Sequence, residues 1–192
     1  MSGEYYLIFQ ACDLAQKLHH GQTRRESGAS FFESHLTPVA TMVAESGGDS
    51  IAIASAWLHD ALEDIGGPSA QSIRAVSPMV LAHVMALSEV GDSWEERKAS
   101  YLQHIPLYDE HELLVSLCDK IVTGRDFISE WSNGKFGKHP ARIVWFYGEI
   151  AKSYASRASQ IGREQIYTDL LKEITLIAAM LTQLVGTGSS VQ

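Results

Sequence analysis

Apolar residues recur at a 3.6-residue period along almost the whole chain, and this rhythm restricts the fold to packed helices. Leu113, Leu114, Leu117, Cys118, Ile121 and Val122 form one stripe on a long helix expected over about 109–128. Ile166, Leu170, Ile174, Ile177 and Leu181 form another within 163–185, and Leu7, Ala11, Leu14, Ala15 and Leu18 mark the first helix. Further helices are expected over 34–47, over 50–65 with Asp49 or Ser50 as its cap, and over 69–76. Three more fit 78–87 and 140–154, each opened by a proline in its first turn, and 94–104. β-Branched residues are scattered and no hairpin-type turn separates two alternating runs, so strands are not expected. The pattern reads as an all-α, single-domain helical bundle over 1–185, with a flexible tail at 186–192.

Composition narrows the function classes. With 192 residues and 45% apolar content the chain can fill one core. The formal net charge of −8 argues against a DNA or RNA surface, which needs clustered Lys and Arg. A small phosphorylated ligand stays compatible, because a bound cation inverts the potential inside one pocket. Cys12 and Cys118 are too few and too far apart for a disulfide framework or a cysteine-rich zinc site, and read as buried thiols. No stretch reaches the roughly 18 apolar residues of a membrane span, and no basic segment leads into an apolar run at the start. A cytoplasmic protein with a small-molecule partner is expected, and homo-oligomer formation is compatible with the chain.

Four polar residues stand out against the apolar stripes. His59 and Asp60 lie near the end of the helix expected over 50–65, His35 near the start of the one before it, and Asp119 inside the long one. Two imidazoles and two carboxylates make a mixed nitrogen–oxygen set suited to Mn²⁺, Fe²⁺, Zn²⁺ or Co²⁺. Neighbouring residues on a helix point about 100° apart, so His59 and Asp60 meet one ion only if it lies between their directions. A second acidic pair, Glu63 and Asp64, follows at once, where the helix C-terminal dipole disfavours carboxylates. His20, His83, His104, His111 and His139 have no comparable company and read as structural or exposed.

Three segments carry a family resemblance: AQKLHHGQTRRESGASFFESH over 15–35, WLHDALEDIG over 57–66 and LLVSLCDK over 113–120. In order and spacing they resemble the HD superfamily of metal-dependent phosphohydrolases, and within it the hydrolase domain of the RelA/SpoT family and the small alarmone hydrolases. That resemblance implies His35, His59, Asp60 and Asp119 as Mn²⁺ ligands, with Glu63 and Asp64 as the catalytic pair that positions and activates the attacking water. It implies Arg24 packing on a guanine base, Arg25 near the phosphates, and Thr123 near the nucleotide sugar. The implied reaction is hydrolysis of the 3′-pyrophosphate of guanosine 3′-diphosphate 5′-di- or triphosphate, (p)ppGpp.

Two departures from the family pattern bear on substrate identity. Ser116 replaces its usual lysine three residues before the metal aspartate, and Thr123 replaces its asparagine four residues after it. Threonine offers a hydrogen bond but not amide geometry. Lys120, Arg125 and Lys17 are candidate replacements for the missing cation. The alternative enzyme reading is an HD phosphohydrolase for another nucleotide or phosphorylated metabolite. A non-enzymatic helical module that keeps the metal as a structural clip has no use for Glu63 and Asp64.

Overall fold

The long stripes become long helices because each buries one face against two partners. In the computed structural model, which describes residues 3–24, 27–133 and 139–188, α8 (Glu110–Ser132) packs against both α9 (Pro140–Gln160) and α10 (Thr168–Gly188). Leu113, Leu117 and Ile121 of α8, Ile150 and Tyr154 of α9, and Ile174 and Leu181 of α10 are fully buried in one core. Burying each of the aliphatic side chains contributes about 1.5–3 kcal/mol relative to exposure. Asp109 starts α8 with a capping box: its side chain accepts from the Glu112 N–H, and the Glu112 carboxylate accepts from the Asp109 N–H, both at 2.9 Å.

The other core is built on short side chains. α1 (Gly3–Leu18) presents Ala11 and Ala15 to Ala54 and Leu58 of α3 (Ser50–Leu58). Small residues let these helices approach closely. α5 (Gly67–Val76) and α6 (Pro78–Leu87) close this core with Ile73, Val80 and Val84. α3 runs between α1, α2 (Thr37–Glu45), α6 and α8, so its carboxyl end lies at the junction of the two cores. Its nearly all-round apolar sequence follows from that central position. α7 (Trp94–His104) completes the bundle beside α6 and α9, and no β-strand occurs among the described residues.

Several boundaries differ from the sequence-based expectation, among them the end of α9, which runs to Gln160 rather than 154. The helix expected over 50–65 breaks at His59 and Asp60 into α3 and the short α4 (Ala61–Ile65). The helix expected from Ser34 opens instead as a π-helical turn, Phe32–Leu36, that contains His35. At the carboxyl end, α10 starts at Thr168 rather than near Arg163, leaving Ile166 exposed, and it continues to Gly188. The first residues of the expected tail are therefore helical, and 189–192 lie outside the described residues. Cys118 is a buried free thiol as expected, whereas Cys12 is only half-buried. No described helix is long and apolar enough to cross a membrane.

Candidate functional site

The break after Leu58 resolves the geometry that a continuous helix left open. His59 keeps helical dihedrals and Asp60 moves to φ −90°, ψ −4°. Both side chains then turn toward one point: His59 Nε2 lies 3.2 Å from Asp60 Oδ2. The π-helical turn supplies the next donor. It widens the helix by one residue, with Thr37 donating through both its N–H and its hydroxyl to the Phe32 carbonyl. His35, buried in that turn, places Nε2 3.1 Å from Asp60 Oδ2 and 3.3 Å from His59 Nε2. Asp119 of α8 brings Oδ1 to 3.3 Å from His35 Nε2 and 3.7 Å from His59 Nε2.

All of these separations but the 3.7 Å between His59 and Asp119 suit a shared ion. Ligands about 2.1 Å from one ion lie about 3.0–3.4 Å apart when they meet it at about 90–109°. The tautomer of His59 fits as well, because its Nδ1–H donates to the Ala56 carbonyl at 2.8 Å and leaves the Nε2 lone pair facing the cluster. Without an ion the charges compensate one another. Burial opposes protonation of both imidazoles, but the facing carboxylates outweigh it and hold both rings above their ordinary range. Burial likewise opposes ionisation of Asp60 and Asp119. The imidazoles, and for Asp119 foremost the Lys120 ammonium, outweigh it and hold both carboxyls below the usual range.

A cleft of about 390 Å³ opens in front of this cluster. Arg24, Glu63, Asp64 and Thr123 line it together with His35, Asp60 and Asp119. His59 lies one layer deeper, in a cavity of about 30 Å³ that also touches Ser116. Desolvation in the cleft raises the Glu63 carboxyl to about 7, although it accepts the Glu89 N–H at 2.8 Å, and Asp60 adds to the rise. Desolvation and Asp60 raise Asp64 too, against a 2.7 Å hydrogen bond from Gln22 Nε2. Arg24 is paired with Asp126 of α8. Arg25 lies outside the described residues.

Two residues that replace family positions have separate fates. Thr123 faces the cleft and donates to Asp119 Oδ1 at 3.3 Å. Ser116 is buried away from it, with its hydroxyl 2.6 Å from Tyr101 OH and 2.8 Å from Tyr154 OH. The cations that line the cleft beside Arg24 are Lys120 and Lys98. Arg125 instead pairs with Glu173 at 2.6 Å and Lys17 with Asp13 at 2.6 Å, and neither reaches the cleft. Lys98 pairs with the largely buried Glu89. Its ammonium is drawn below the ordinary range by burial and by Lys120. Sequence reasoning missed Lys98 and Glu89 because α7 reads as a charged surface helix. Their only local signal is a pair of opposite charges nine residues apart.

Known proteins resemble the chain in sequence and in fold. Guanosine-3′,5′-bis(diphosphate) 3′-pyrophosphohydrolase MESH1 of Xenopus tropicalis is 28% identical over 132 residues, covering 66% of this chain and 72% of that protein. A solved structure, described as a metazoan orthologue of SpoT that hydrolyses ppGpp and plays a role in starvation responses, superposes with a TM-score of 0.68. It covers 88% of this chain and 96% of its own at 16% identity, a likeness of fold. The family model of the HD domain matches residues 11–129, which include His35, His59, Asp60 and Asp119. The chain belongs to the HD domain family.

Proposed function

We propose that this protein is a divalent-metal-dependent phosphohydrolase that removes the 3′-pyrophosphate of (p)ppGpp, releasing pyrophosphate and leaving a 3′-hydroxyl. One observation carries the reading: the Nε2 atoms of His35 and His59 each lie 3.1–3.7 Å from a carboxylate oxygen of Asp60 and of Asp119, behind a cleft that also holds three further carboxylates and three cations. The relation to MESH1 supports the choice of substrate.

His35, His59, Asp60 and Asp119 would hold the ion, for which we assign Mn²⁺. When bound, it supplies Lewis acidity toward a phosphoryl oxygen and toward water. The chain's own residues do the rest. With its carboxyl raised to about 7, Glu63 is matched to accept a proton from the attacking water near neutral pH. Asp64, fixed by Gln22, orients that water from the other side. Lys98 and Lys120 neutralise the phosphate charge, and Lys120 meanwhile holds Asp119 through Oδ2 at 2.6 Å, leaving Oδ1 for the ion. Arg24 can stack on the base once it leaves or shares Asp126. Thr123 faces the sugar with a single hydroxyl. Arg25, next along the chain, is assigned to the phosphates.

A second reading is favoured by Ser116 and Thr123. The hydroxyl of Ser116 is spent on two tyrosines, and Thr123 lacks amide geometry, so the cleft also suits another nucleotide or phosphorylated metabolite. The test is release of phosphate and pyrophosphate from a panel of nucleotides, 3′-pyrophosphorylated guanosines included, with Mn²⁺ added and then removed by chelation. Metal-dependent release of pyrophosphate from (p)ppGpp above all other compounds is expected. Turnover of a different member, with (p)ppGpp untouched, installs the second reading.

A further inference from the structure

His83 and His111, which the sequence leaves as structural or exposed, meet toward the amino end of α3, whose carboxyl end leads into the site just described. The rings stack with centroids 5.2 Å apart, and Asp109 stands between their nitrogens. Asp109 Oδ2 is 3.2 Å from His83 Nε2 and 3.9 Å from His111 Nδ1. One ligand atom from each of the three residues lies within 4.8 Å of the other two. Asp109 Oδ1 is committed to the amino end of α8, where it accepts the Glu112 N–H, so Oδ2 is the oxygen left for the histidines.

The nitrogens that face away from this point are also engaged. His111 Nε2 lies 3.0 Å from Asp49 Oδ2, an acceptor only, so Nε2 carries the hydrogen and Nδ1 turns a lone pair toward Asp109. His83 Nδ1 lies 3.3 Å from the buried Ser55 hydroxyl. A carboxylate or hydroxyl on the outer nitrogen of each ring is the support that metal-bound histidines usually have. The amino ends of α3 and α8 both oppose a cation here, and the carboxylates of Asp49 and Asp109 offset them. Asp109 is half-exposed and His111 part-exposed, which leaves room for water to complete a coordination sphere.

We infer that His83, Asp109 and His111 form a second site for a divalent transition ion of the zinc class, with Asp49 and Ser55 holding the two imidazoles in register. Two neutral imidazoles and one carboxylate with open positions suit Zn²⁺ and its neighbours better than Ca²⁺ or Mg²⁺, which select oxygen. The site ties α6 to the amino ends of α3 and α8. Ser55, which holds His83, precedes His59 by one turn of α3, about 6 Å at 1.5 Å per residue, and the two sites share no ligand. The role is that of a clip, and it does not depend on the reaction assigned to the first cleft.

The test is metal stoichiometry of untagged, full-length protein, loaded with Zn²⁺ or Co²⁺, dialysed, and measured by elemental analysis. Wild type should hold two equivalents, His111→Ala and His83→Gln one each, and His35→Ala one. His111→Ala is the safer variant because the side chain is partly exposed; its fold is checked by circular dichroism. The Co²⁺ absorption spectrum of His35→Ala should report a nitrogen–oxygen site that disappears in His35→Ala/His111→Ala. Asp49→Asn should weaken that remaining ion about 10–100-fold in chelator competition while all three ligands stay in place. Equal stoichiometry in wild type and a folded His111→Ala overturns the proposal, and the cluster is then a hydrogen-bonded helix cap. So does a His35→Ala protein that holds no ion.

Discussion

The Lys120 ammonium sits 2.6 Å from Oδ2 of Asp119, while Oδ1 of the same carboxylate faces the two histidines. The carboxylate is thus divided between a permanent internal cation, its neighbour on the same helix, and the cluster proposed to hold the metal. Asp119 stays ionised whether or not a metal is bound, since Lys120 is foremost among the charges that hold its carboxyl low. Replacing Lys120 with Met should weaken metal binding only modestly but lower stability by about 1.5–3 kcal/mol in metal-free protein, because the buried carboxylate loses a charged hydrogen-bond partner and keeps the two imidazoles. Denaturant unfolding in chelator, paired with metal titration, reads both effects.

Asp60→Asn should reduce metal occupancy strongly with little loss of helix. Asp60 lies in a turn, its Oδ2 touches both imidazoles, and it supports neither core. Elemental analysis after dialysis, alongside circular dichroism, checks it; full occupancy in the variant would remove Asp60 from the ligand set.

Glu63→Gln should lower kcat by about 10²–10⁴-fold with metal content unchanged. The same variant carries a pH signature in metal-free protein. The Glu63 carboxyl is raised to about 7 in the folded state, above its unfolded range, so the native protein binds more protons than the unfolded chain between those values. Stability from this group is full below the unfolded pKa and falls as pH rises toward and through 7. Glu63→Gln should therefore lose less stability than wild type between pH 5 and pH 8 in urea unfolding. Identical pH slopes for the two proteins would show that the carboxyl is not raised.

Ser116→Lys and Thr123→Asn both restore family residues, and opposite outcomes are expected. Ser116 is buried in a triangle of hydroxyls with Tyr101 and Tyr154, so a lysine there overpacks the site, at a cost of about 1–3 kcal/mol. Thr123 lines the open cleft and has space for an amide. Thermal melts should separate the two variants, and Thr123→Asn should retain or improve turnover of (p)ppGpp.

Arg24→Ala should raise KM for a guanosine substrate about 5–150-fold, matching the roughly 1–3 kcal/mol of a base–side-chain stack, with a smaller change in kcat. Steady-state kinetics on (p)ppGpp tests it. A neutral Arg24→Ala would shift weight to the alternative substrate reading.

How much of this was legible in the sequence depended on whether the signal was local. Leu113 to Val122 announce α8 because a stripe on one helix is a local pattern, and Pro78 and Pro140 mark α6 and α9 by their missing N–H. The break at His59 was hidden, since Ile51, Ala54, Leu58, Ala61 and Leu62 keep a helical beat straight through it. Lys98 was hidden in the charged face of α7, and His83 and His111 stand 28 residues apart with nothing local to join them. Gly124 gives the same lesson in packing. A Cβ there would lie 2.6 Å from Ile177 Cγ2 and 2.9 Å from Tyr147 Cε1, neighbours that no window of sequence reveals.

The two-residue turn after Leu58 also sets which parts of the cluster can drift. His59 and Asp60 share a peptide bond, so thermal breathing of the bundle leaves their mutual spacing almost fixed. Any slackening between helices appears instead as changed distances to His35 and to Asp119, each carried on a different element. Metal affinity therefore acts as a strain gauge for the contacts of α3 with α2 and α8. A core substitution such as Leu117→Ala, two residues before Asp119 on α8, should register there before it registers in helix content.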